Sequence, residues 1–210
     1  MGDQAKMHVD YLQIGAHVGN THNDMLFHKD LVNKTIVLVE PVDHLFRQLQ
    51  ANYKERHPKA NVIFVNAAVS NKDDTTVDLY VPSESNDFSA LPWWASQVAS
   101  VRKDHVHTWI PSMKMEVRSV PCVTLNRLCS MLSIATVDTL LIDTEGHDYE
   151  ILMALDLTRM KPNHIFFENS HMDGNLKKGA RYAELLGHFL ANGYVIEQED
   201  DEDTHLRRLV

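Results

Sequence analysis

Glycine and polar residues that could bind a ligand follow several apolar runs in this sequence. The apolar run that starts at Val9 ends in Gly15 and Gly19, two glycines four residues apart. Glycine lacks a Cβ, so a ligand could approach this turn closely, and the free N–H groups of a following helix could face it. Other runs end in polar residues: Glu40, Asn66, Asp143 with Glu145, and Glu168 with Asn169. Because buried polar groups are costly, we expect these run ends to meet at one edge of a sheet and to form a binding site.

Glu40 is a candidate for binding a ribose. It follows Gly19 by 21 residues, at the end of the second apolar run, and its carboxylate could accept hydrogen bonds from both ribose hydroxyls of NAD or of S-adenosylmethionine. The dinucleotide fingerprint requires Gly-x-Gly-x-x-Gly, but His17 occupies the middle glycine position and Asn20 the last. A side chain at His17 would keep a pyrophosphate away from the backbone, so the pattern favours a ligand with a sulfonium and an amino acid end. An exposed strand-end carboxylate is the alternative interpretation of Glu40.

Asp143 and Glu145 stand two residues apart at the end of another apolar run. They could hold the amino group of a cofactor and an acceptor molecule. They could instead bind a divalent ion together with His147 or His171, because carboxylates and imidazoles are ligands of such ions. Glu145 could also do no more than cap the helix that follows. The spacing alone leaves these roles open.

The elements that would position these residues alternate between strands and helices. We predict strands at residues 9–14, 35–39, 61–65, 75–81, 114–120, 137–142, 164–167, 194–197 and 205–209. We predict helices after Asn20 or Thr21, after Asp43 and Asp148 as caps, after Thr124, and over residues 180–191. The sequence therefore predicts one α/β domain over residues 1–210, with a mostly parallel sheet and helices on both faces.

An irregular aromatic segment at residues 82–111 interrupts this alternation between two of the strands. It contains Phe88, Trp93, Trp94 and Trp109, and all three tryptophans of the chain lie in it. We predict a lid insertion with an apolar wall for the acceptor; a cluster that merely covers the sheet is the alternative. His105 and His107 alternate in the same segment, which is typical of a surface.

Composition excludes several classes of protein. The 210 residues carry a formal charge of −9, which argues against a nucleic-acid partner. No apolar run approaches the length of a membrane helix, and no secretory signal is recognisable. Cys122 and Cys129 are too few for a disulfide framework. We therefore expect a cytoplasmic protein with reduced cysteines and no membrane partner.

Four segments together resemble one enzyme family. They are residues 13–20 (QIGAHVGN), 39–41 (VEP), 66–70 (NAAVS) and 141–150 (LIDTEGHDYE). With shorter matches at 123–125, 165–168 and 190–194, they are similar to the FkbM family of S-adenosylmethionine-dependent methyltransferases over nearly the whole chain. The resemblance implies the Rossmann-like class I methyltransferase fold, with seven strands, the last of them antiparallel.

The resemblance also implies a cofactor, S-adenosylmethionine, with S-adenosylhomocysteine as product, and it requires no metal ion, so we predict none. The glycine turn would surround the methionine part, Glu40 would hold the ribose, and the Asn66–Ala67 turn would lie near the adenine. Gln13 stands where the family usually has aspartate, and it can still accept a hydrogen bond from the cofactor's ammonium group. The expected cofactor-binding residues are Gln13, Gly15, Ala16, His17, Gly19, Asn20, Glu40, Pro41, Asn66, Ala67, Ser89 and Asp143.

An alcohol acceptor must lose its proton as the new bond forms, which calls for a base tuned near neutral pH. The catalytic candidates are His171, His147 and Glu145; we place His171 first and expect Glu168 or Asp173 to raise its pKa. A solvated or helix-capping histidine is the alternative. We predict O-methylation of a small-molecule or sugar hydroxyl. An NAD-dependent oxidoreductase and a catalytically silent nucleotide-binding module are the alternative functions.

Overall fold

Ten strands and four α-helices form the chain in a computed structural model, which describes residues 6–21, 24–73, 76–105, 107, 110–174 and 176–209. The strands are β1 (Met7–Ile14), β2 (Thr35–Val39), β3 (Asn61–Val65), β4 (Ala68–Ser70), β5 (Thr76–Pro82), β6 (Met115–Thr124), β7 (Ile134–Ile142), β8 (His164–Glu168), β9 (Tyr194–Glu199) and β10 (Asp203–Arg208). The helices are α1 (Asp43–Arg56), α2 (Leu125–Met131), α3 (Asp148–Met153) and α4 (Gly179–Ala191), with 3₁₀ turns at Phe88–Ala90 and Trp93–Ser96.

Seven of these strands form one sheet in the order β3-β2-β1-β7-β8-β10-β9. Pairing is parallel from β3 to β8, whereas β10 is antiparallel to both β8 and β9. The order reverses beside β1, which lies between β2 and β7. This confirms the predicted class I arrangement and places a switch point, where open α/β sheets bind ligands, at the end of β1.

Alternation along the strands explains why both faces of the sheet are covered. In β2, Val37 and Val39 join the cluster that includes residues of α2, α3 and α4, while Ile36 and Leu38 pack with Leu49 and Tyr53 of α1. Successive side chains of a strand point to opposite faces, so a continuous apolar run buries both. The predicted helices on both faces are confirmed.

A second, three-stranded sheet in the order β4-β6-β5 carries the insertion. β5 and β6 form an antiparallel hairpin, and the backbones of Tyr80 and Ser100 bridge it to the intervening segment. Ala95, Val98, Ile110 and Met113 form a small apolar cluster within that segment, with Trp94 packed against it. Trp109 and the start of the predicted strand at Thr75 lie outside the described residues. The inserted hairpin is confirmed, and the lid role of residues 82–111 stays a prediction.

The predicted helix after Asn20 or Thr21 is wrong: the described residues of 20–34 form turns. The Asp24 carboxylate accepts the N–H groups of Leu26 and Phe27, and that of Asp30 accepts the N–H of Val32. Short acidic side chains compete in this way with the helical hydrogen bonds of the backbone. The segment still buries Leu26 within the α1 face of the sheet.

Neither aspartate predicted as a helix cap has that role. The N-cap residues of α1 and α3 are Val42 and His147, and neither makes a side-chain capping bond. Asp43 pairs with Arg47 one turn later. Asp148 turns back and accepts hydrogen bonds from the backbone and hydroxyl of Thr144, so it closes the loop after β7.

Two further sequence-based expectations concern cysteines and membrane helices. Within the described residues, Cys122 and Cys129 are both buried and neither forms a disulfide. Within the described ranges, no helix has the length and apolar character that crossing a membrane requires.

Candidate functional site

A cavity of about 680 Å³ opens at the carboxyl ends of β1, β2 and β7, at the switch point of the sheet. Its volume is in the range of small-molecule and cofactor sites. The predicted site residues that line it are Gln13, Gly15, Ala16, His17, Glu40, Pro41, Ala67, Asp143, Glu145, His147 and His171. The strand ends therefore do bring these side chains together. Gly19, Asn20, Asn66 and Ser89 do not line this cavity.

Gly15 is required by the packing of neighbouring strands. Its φ is +80°, and a Cβ there would collide with the backbone carbonyl of Asp143. The N–H groups of Gly15 and Ala16 both donate to the carbonyl of Val39, at 3.0 Å each. The turn thus joins the ends of β1, β2 and β7, and the close approach that we attributed to a ligand is made by the protein itself.

Gly19 also has a structural role. A Cβ at this position would lie 2.5 Å from both Leu49 Cδ1 and Tyr53 Cε2, two fully buried side chains of α1. Its φ is +71°, a backbone conformation that glycine adopts without strain. Gly19 therefore allows the loop after β1 to pack on α1, and its neighbour Asn20 is exposed.

Glu40 is buried, with 4% of its surface exposed, at the end of β2. One carboxylate oxygen accepts the N–H of Val42 at 2.8 Å, and the other accepts the N–H of His17 at 2.9 Å. Burial raises the pKa of Glu40 to about 7, although both N–H bonds oppose the rise. Each carboxylate oxygen has a second lone pair, so Glu40 can still accept hydrogen bonds from a ligand in the cavity.

Asn66, Pro41 and Ser89 differ in their relation to the cavity. The side-chain amide of Asn66 donates to the carbonyls of Glu40 and Pro41, at 2.9 and 3.1 Å. Asn66 therefore fixes the loop that presents Glu40 rather than facing the cavity itself. Ser89 is exposed and bonds to Asp87 through its hydroxyl and its N–H.

Gln13 lines the cavity and has an unsatisfied hydrogen-bond acceptor. Its Oε1 is buried and makes no hydrogen bond within the described part of the chain, while its side chain interacts with the Asp24 carboxylate. Leaving a buried acceptor unsatisfied costs about 1–3 kcal/mol. A ligand that brings an N–H donor to the start of the glycine turn would remove that cost.

His17 adopts a left-handed backbone conformation, with φ +46°, and its ring lines the cavity. Burial lowers the pKa of His17 to about 4, so the ring is neutral at neutral pH. A side chain thus occupies the position where the dinucleotide fingerprint requires glycine.

Acidic side chains at the ends of β7 and β8 form one wall of the cavity, the acidic wall. Asp143 opens into the cavity, and enclosure by the surrounding protein, with the charges of Glu145 and Asp148, raises its pKa well above the ordinary value. Burial and the charge of Asp143 likewise raise the pKa of Glu168. Burial raises the pKa of Asp148 to about 6. Mutual repulsion keeps these groups from all being ionised together.

His171 does not have the raised pKa that we predicted. Burial, followed by the charges of His105 and Arg102, lowers the pKa of His171 to about 4. Its Nδ1 accepts the N–H of Leu176 at 3.2 Å, and its Nε2 lies 3.2 Å from Glu168. An acceptor at Nδ1 implies that the neutral ring carries its proton on Nε2, toward Glu168. Both ring nitrogens are therefore engaged by the protein.

His147 lines the cavity at the start of α3, and its nitrogens also face protein groups. Nε2 lies 2.9 Å from the hydroxyl of Ser70, and Nδ1 lies 3.6 Å from Glu150. Burial lowers the pKa of His147. The ring therefore connects the start of α3 to the end of β4.

His105 was missed by the sequence analysis, which interpreted it as a surface residue. It is 1% exposed, it lines the cavity, and its Nε2 lies 2.8 Å from Glu145 Oε2. Its ring packs edge-on against that of His171, with centroids 4.7 Å apart. His107, by contrast, is exposed as predicted. The alternation of the two histidines in the sequence does not indicate which of them is buried.

Two further hydrogen bonds join the insertion to the loops that carry Glu145 and His171. The hydroxyl of Ser100 donates to the carbonyl of Glu145 at 2.9 Å, and Arg102 donates to the carbonyl of His171 at 3.0 Å. Ligand atoms of His105, Glu145 and His171 lie within 4.8 Å of one another, close enough for one divalent ion. The hydrogen bonds of His105 and His171 to carboxylates also account for this arrangement.

Comparisons with known proteins agree with this fold. A crystal structure of methyltransferase FkbM from Methylobacillus flagellatus KT matches 98% of the chain at 11% identity, with a TM-score of 0.50. The match covers 45% of that protein, so the chain spans less than half of its length. No curated protein sequence matches the chain.

Two other solved structures align over most of the chain with TM-scores below 0.5, and we draw no argument from them. The fibrillarin pre-rRNA processing protein of Methanococcus jannaschii aligns at 12% identity over 99% of the chain and 69% of its own, with a TM-score of 0.47. Magnesium protoporphyrin IX methyltransferase of Synechocystis PCC 6803 aligns at 10% identity over 96% and 71%, with a TM-score of 0.45.

The family comparison is more decisive than these distant structures. The methyltransferase FkbM domain matches residues 13–196, which is most of the chain and includes the carboxyl ends of β1, β2, β7 and β8. The protein therefore belongs to the FkbM methyltransferase domain family.

Proposed function

We propose that the chain binds S-adenosylmethionine and transfers its methyl group to a hydroxyl of a small molecule or sugar. The observation that carries the proposal is the cavity at the switch point, where Gln13, Glu40 and Asp143 converge from three adjacent strands. A ligand with an ammonium group near β1 and a ribose near β2 would satisfy them together. Membership of a methyltransferase family favours S-adenosylmethionine as that ligand.

The residues present fit this cofactor. Gln13 Oε1 would accept a hydrogen bond from the ammonium group, which supplies the partner that this buried atom lacks. Glu40 would accept hydrogen bonds from the ribose hydroxyls through the lone pairs not used by Val42 and His17. Pro41 and Ala67 line the cavity beside Glu40, where the adenine would lie. When bound, the cofactor supplies an electrophilic methyl group on a sulfonium.

Glu145 is the group best placed to take the acceptor's proton. Its side chain is 22% exposed, whereas that of His105 is 1% exposed, so an incoming hydroxyl can meet the carboxylate more easily than the ring. The Nε2–H of His105 would donate to Glu145 Oε2 and hold it in place, which makes His105 a positioning residue. His171 and His147 are the alternatives, and their engaged nitrogens make them weaker candidates.

The walls of the cavity favour a neutral or cationic acceptor. Asp143, Glu145 and Glu168 line one side, and an acceptor carrying a carboxylate or phosphate would be repelled there. Trp94 and Val98 of the insertion also line the cavity, which supports an apolar wall and the lid role of residues 82–111. Because a positioned hydroxyl reacts by in-line displacement, holding it against these walls is the main catalytic task.

Calorimetry with S-adenosylhomocysteine and with NAD tests the cofactor. We expect binding of S-adenosylhomocysteine and none of NAD, because the His17 ring lines the cavity where a pyrophosphate would need glycine. Tighter binding of NAD would instead support an oxidoreductase. A methyl-release assay with panels of alcohols and sugars tests catalysis. Binding without turnover on any acceptor would support a catalytically silent module. The uncharged Gln13 is the feature that keeps this alternative open.

A further inference from the structure

Three side chains from the neighbouring strands β8, β9 and β10 meet away from Gln13, Glu40 and Glu145. His164 is the first residue of β8, Glu197 lies on β9 and His205 on β10. His164 precedes Glu168, at the cavity end of the same strand, by four residues, which is about 13 Å of extended chain. His205 borders the cavity, whereas His164 and Glu197 do not. The cluster is therefore separate from the residues proposed to bind the cofactor and the acceptor.

The spacing of the three ligand atoms matches the first coordination sphere of a metal. His164 Nδ1 lies 3.0 Å from His205 Nε2 and 3.7 Å from Glu197 Oε2, and His205 Nε2 lies 3.3 Å from Glu197 Oε2. A point equidistant from these atoms lies about 2 Å from each, which is the length of a zinc–nitrogen or zinc–oxygen bond. One ion can thus contact all three atoms without moving the backbone.

Neighbouring residues hold these side chains in orientation. Arg207 donates from Nε to Glu197 Oε1 at 2.9 Å, which leaves Oε2 facing the two imidazoles. The His205 ring stacks on Phe166, with centroids 3.8 Å apart and an interplanar angle of 14°. Partners that orient the ligands in this way are common around metal sites. Side-chain exposures of 33% for His164, 40% for Glu197 and 14% for His205 leave a route for the ion from solvent.

We propose that His164, Glu197 and His205 bind one divalent transition metal ion, for which Zn²⁺ is the best match. Two imidazole nitrogens and one carboxylate oxygen form a common zinc ligand set, with a fourth position for water or another ligand. Without metal, the contact between His164 Nδ1 and His205 Nε2 needs a proton between the two lone pairs. When the ion binds, the ring that donates this bond carries its proton on its other nitrogen, so both nitrogens present lone pairs to the ion. The ion then links β8, β9 and β10, the last three strands of the sheet.

Zinc titration of the protein after EDTA treatment and removal of the chelator tests the site, with a chromophoric zinc chelator of known affinity as competitor. We expect one tight equivalent in the unmodified protein. His164→Ala and Glu197→Gln should each weaken zinc binding by at least about tenfold, and Arg207→Gln by about 10- to 100-fold because it orients Glu197. Zinc should raise the Tm of the unmodified protein but not of His164→Ala. Co²⁺ in place of zinc should give visible absorption typical of mixed nitrogen and oxygen ligands.

Two histidine variants are the controls. His8→Ala removes an exposed histidine that contacts Thr136 on another part of the sheet, and His105→Ala disrupts the other His–Glu–His cluster. Both should retain the zinc equivalent. The proposal is overturned if the unmodified protein binds no zinc, if folded His164→Ala binds it with unchanged affinity, or if His105→Ala alone removes it. Binding of S-adenosylhomocysteine by His164→Ala separates this result from the proposed function.

Discussion

His105 Nε2 lies 2.8 Å from Glu145 Oε2, although 40 residues separate them in the chain. This contact joins the insertion between β5 and β6 to the loop after β7, and it holds the Glu145 carboxylate in place. Ser100 and Arg102, five and three residues before His105, donate hydrogen bonds to the carbonyls of Glu145 and His171. The insertion therefore contacts the site through two hydrogen bonds to backbone carbonyls as well as through the His105 imidazole.

Glu145→Gln should lower the methylation rate by on the order of 10²–10⁴ while leaving S-adenosylhomocysteine affinity nearly unchanged, because the amide cannot take the proton. His105→Asn should lower kcat less, since His105 only orients Glu145. His107→Ala is the matched control, because that histidine is exposed in the same segment. Normal turnover by Glu145→Gln, with a large loss in His171→Ala, would move the base to His171.

Glu40→Ala should weaken S-adenosylhomocysteine binding by about 1–3 kcal/mol, because the ribose hydroxyls and two backbone N–H groups lose their acceptor. Affinity for the unmodified protein should also rise as the pH increases through about 7, the raised pKa of the buried carboxyl, since the anion is the stronger acceptor. Calorimetry between pH 6 and 8 measures both effects. Equal affinity in a folded variant would show that Glu40 does not contact the ligand.

Gly19→Ala should destabilise the fold by about 1–3 kcal/mol, the range typical of overpacking a buried site. Its Cβ would meet Leu49 and Tyr53, and its φ of +71° is strained for alanine. Gly187→Ala is the control: apart from its chain neighbours and the backbone of its own helix, no described atom lies within 4 Å of a Cβ at that position, so it should be neutral or stabilising by up to ~1 kcal/mol. Denaturant unfolding measures the two. Similar stabilities would mean that α1 moves aside at no cost.

The strand-end residues could be predicted because they follow from one-dimensional patterns. Continuous apolar runs identify strands buried on both faces, and parallel strands present their carboxyl ends at one edge. Glu40 and Asp143 line the cavity for this reason. Apolar runs and strand ends do not identify His105, because the irregular insertion has no repeating apolar pattern that predicts which side chains are buried.

Other errors come from contacts between distant segments. Gly19 was predicted to make room for a ligand, but Leu49 and Tyr53 occupy that space. The helix expected after Asn20 is replaced by turns, since Asp24 captures two backbone N–H groups. The lowered pKa of His171 follows from burial, which the flanking Glu168 and Asp173 do not reveal. Each depends on packing rather than on local composition.

The low pKa of His171 makes a prediction about stability in acid. In the unfolded chain a histidine titrates near 6.5, whereas burial lowers the pKa of His171 to about 4 in the fold. Between these values the unfolded state binds the extra proton, so this group's contribution to the free energy of unfolding is complete above pH 6.5 and declines as the pH falls toward 4.

His171→Gln cannot titrate, and its free energy of unfolding relative to the unmodified protein should therefore improve by about 1–3 kcal/mol from pH 7 to pH 4.5. Taking the difference between the two proteins cancels the opposite trend expected from Glu40, whose raised pKa favours the fold at lower pH. Urea unfolding at both pH values measures this difference. A difference that is independent of pH would mean that His171 has the same pKa in the native protein as in the unfolded chain, near 6.5, and it would restore His171 as a group that exchanges protons near neutral pH.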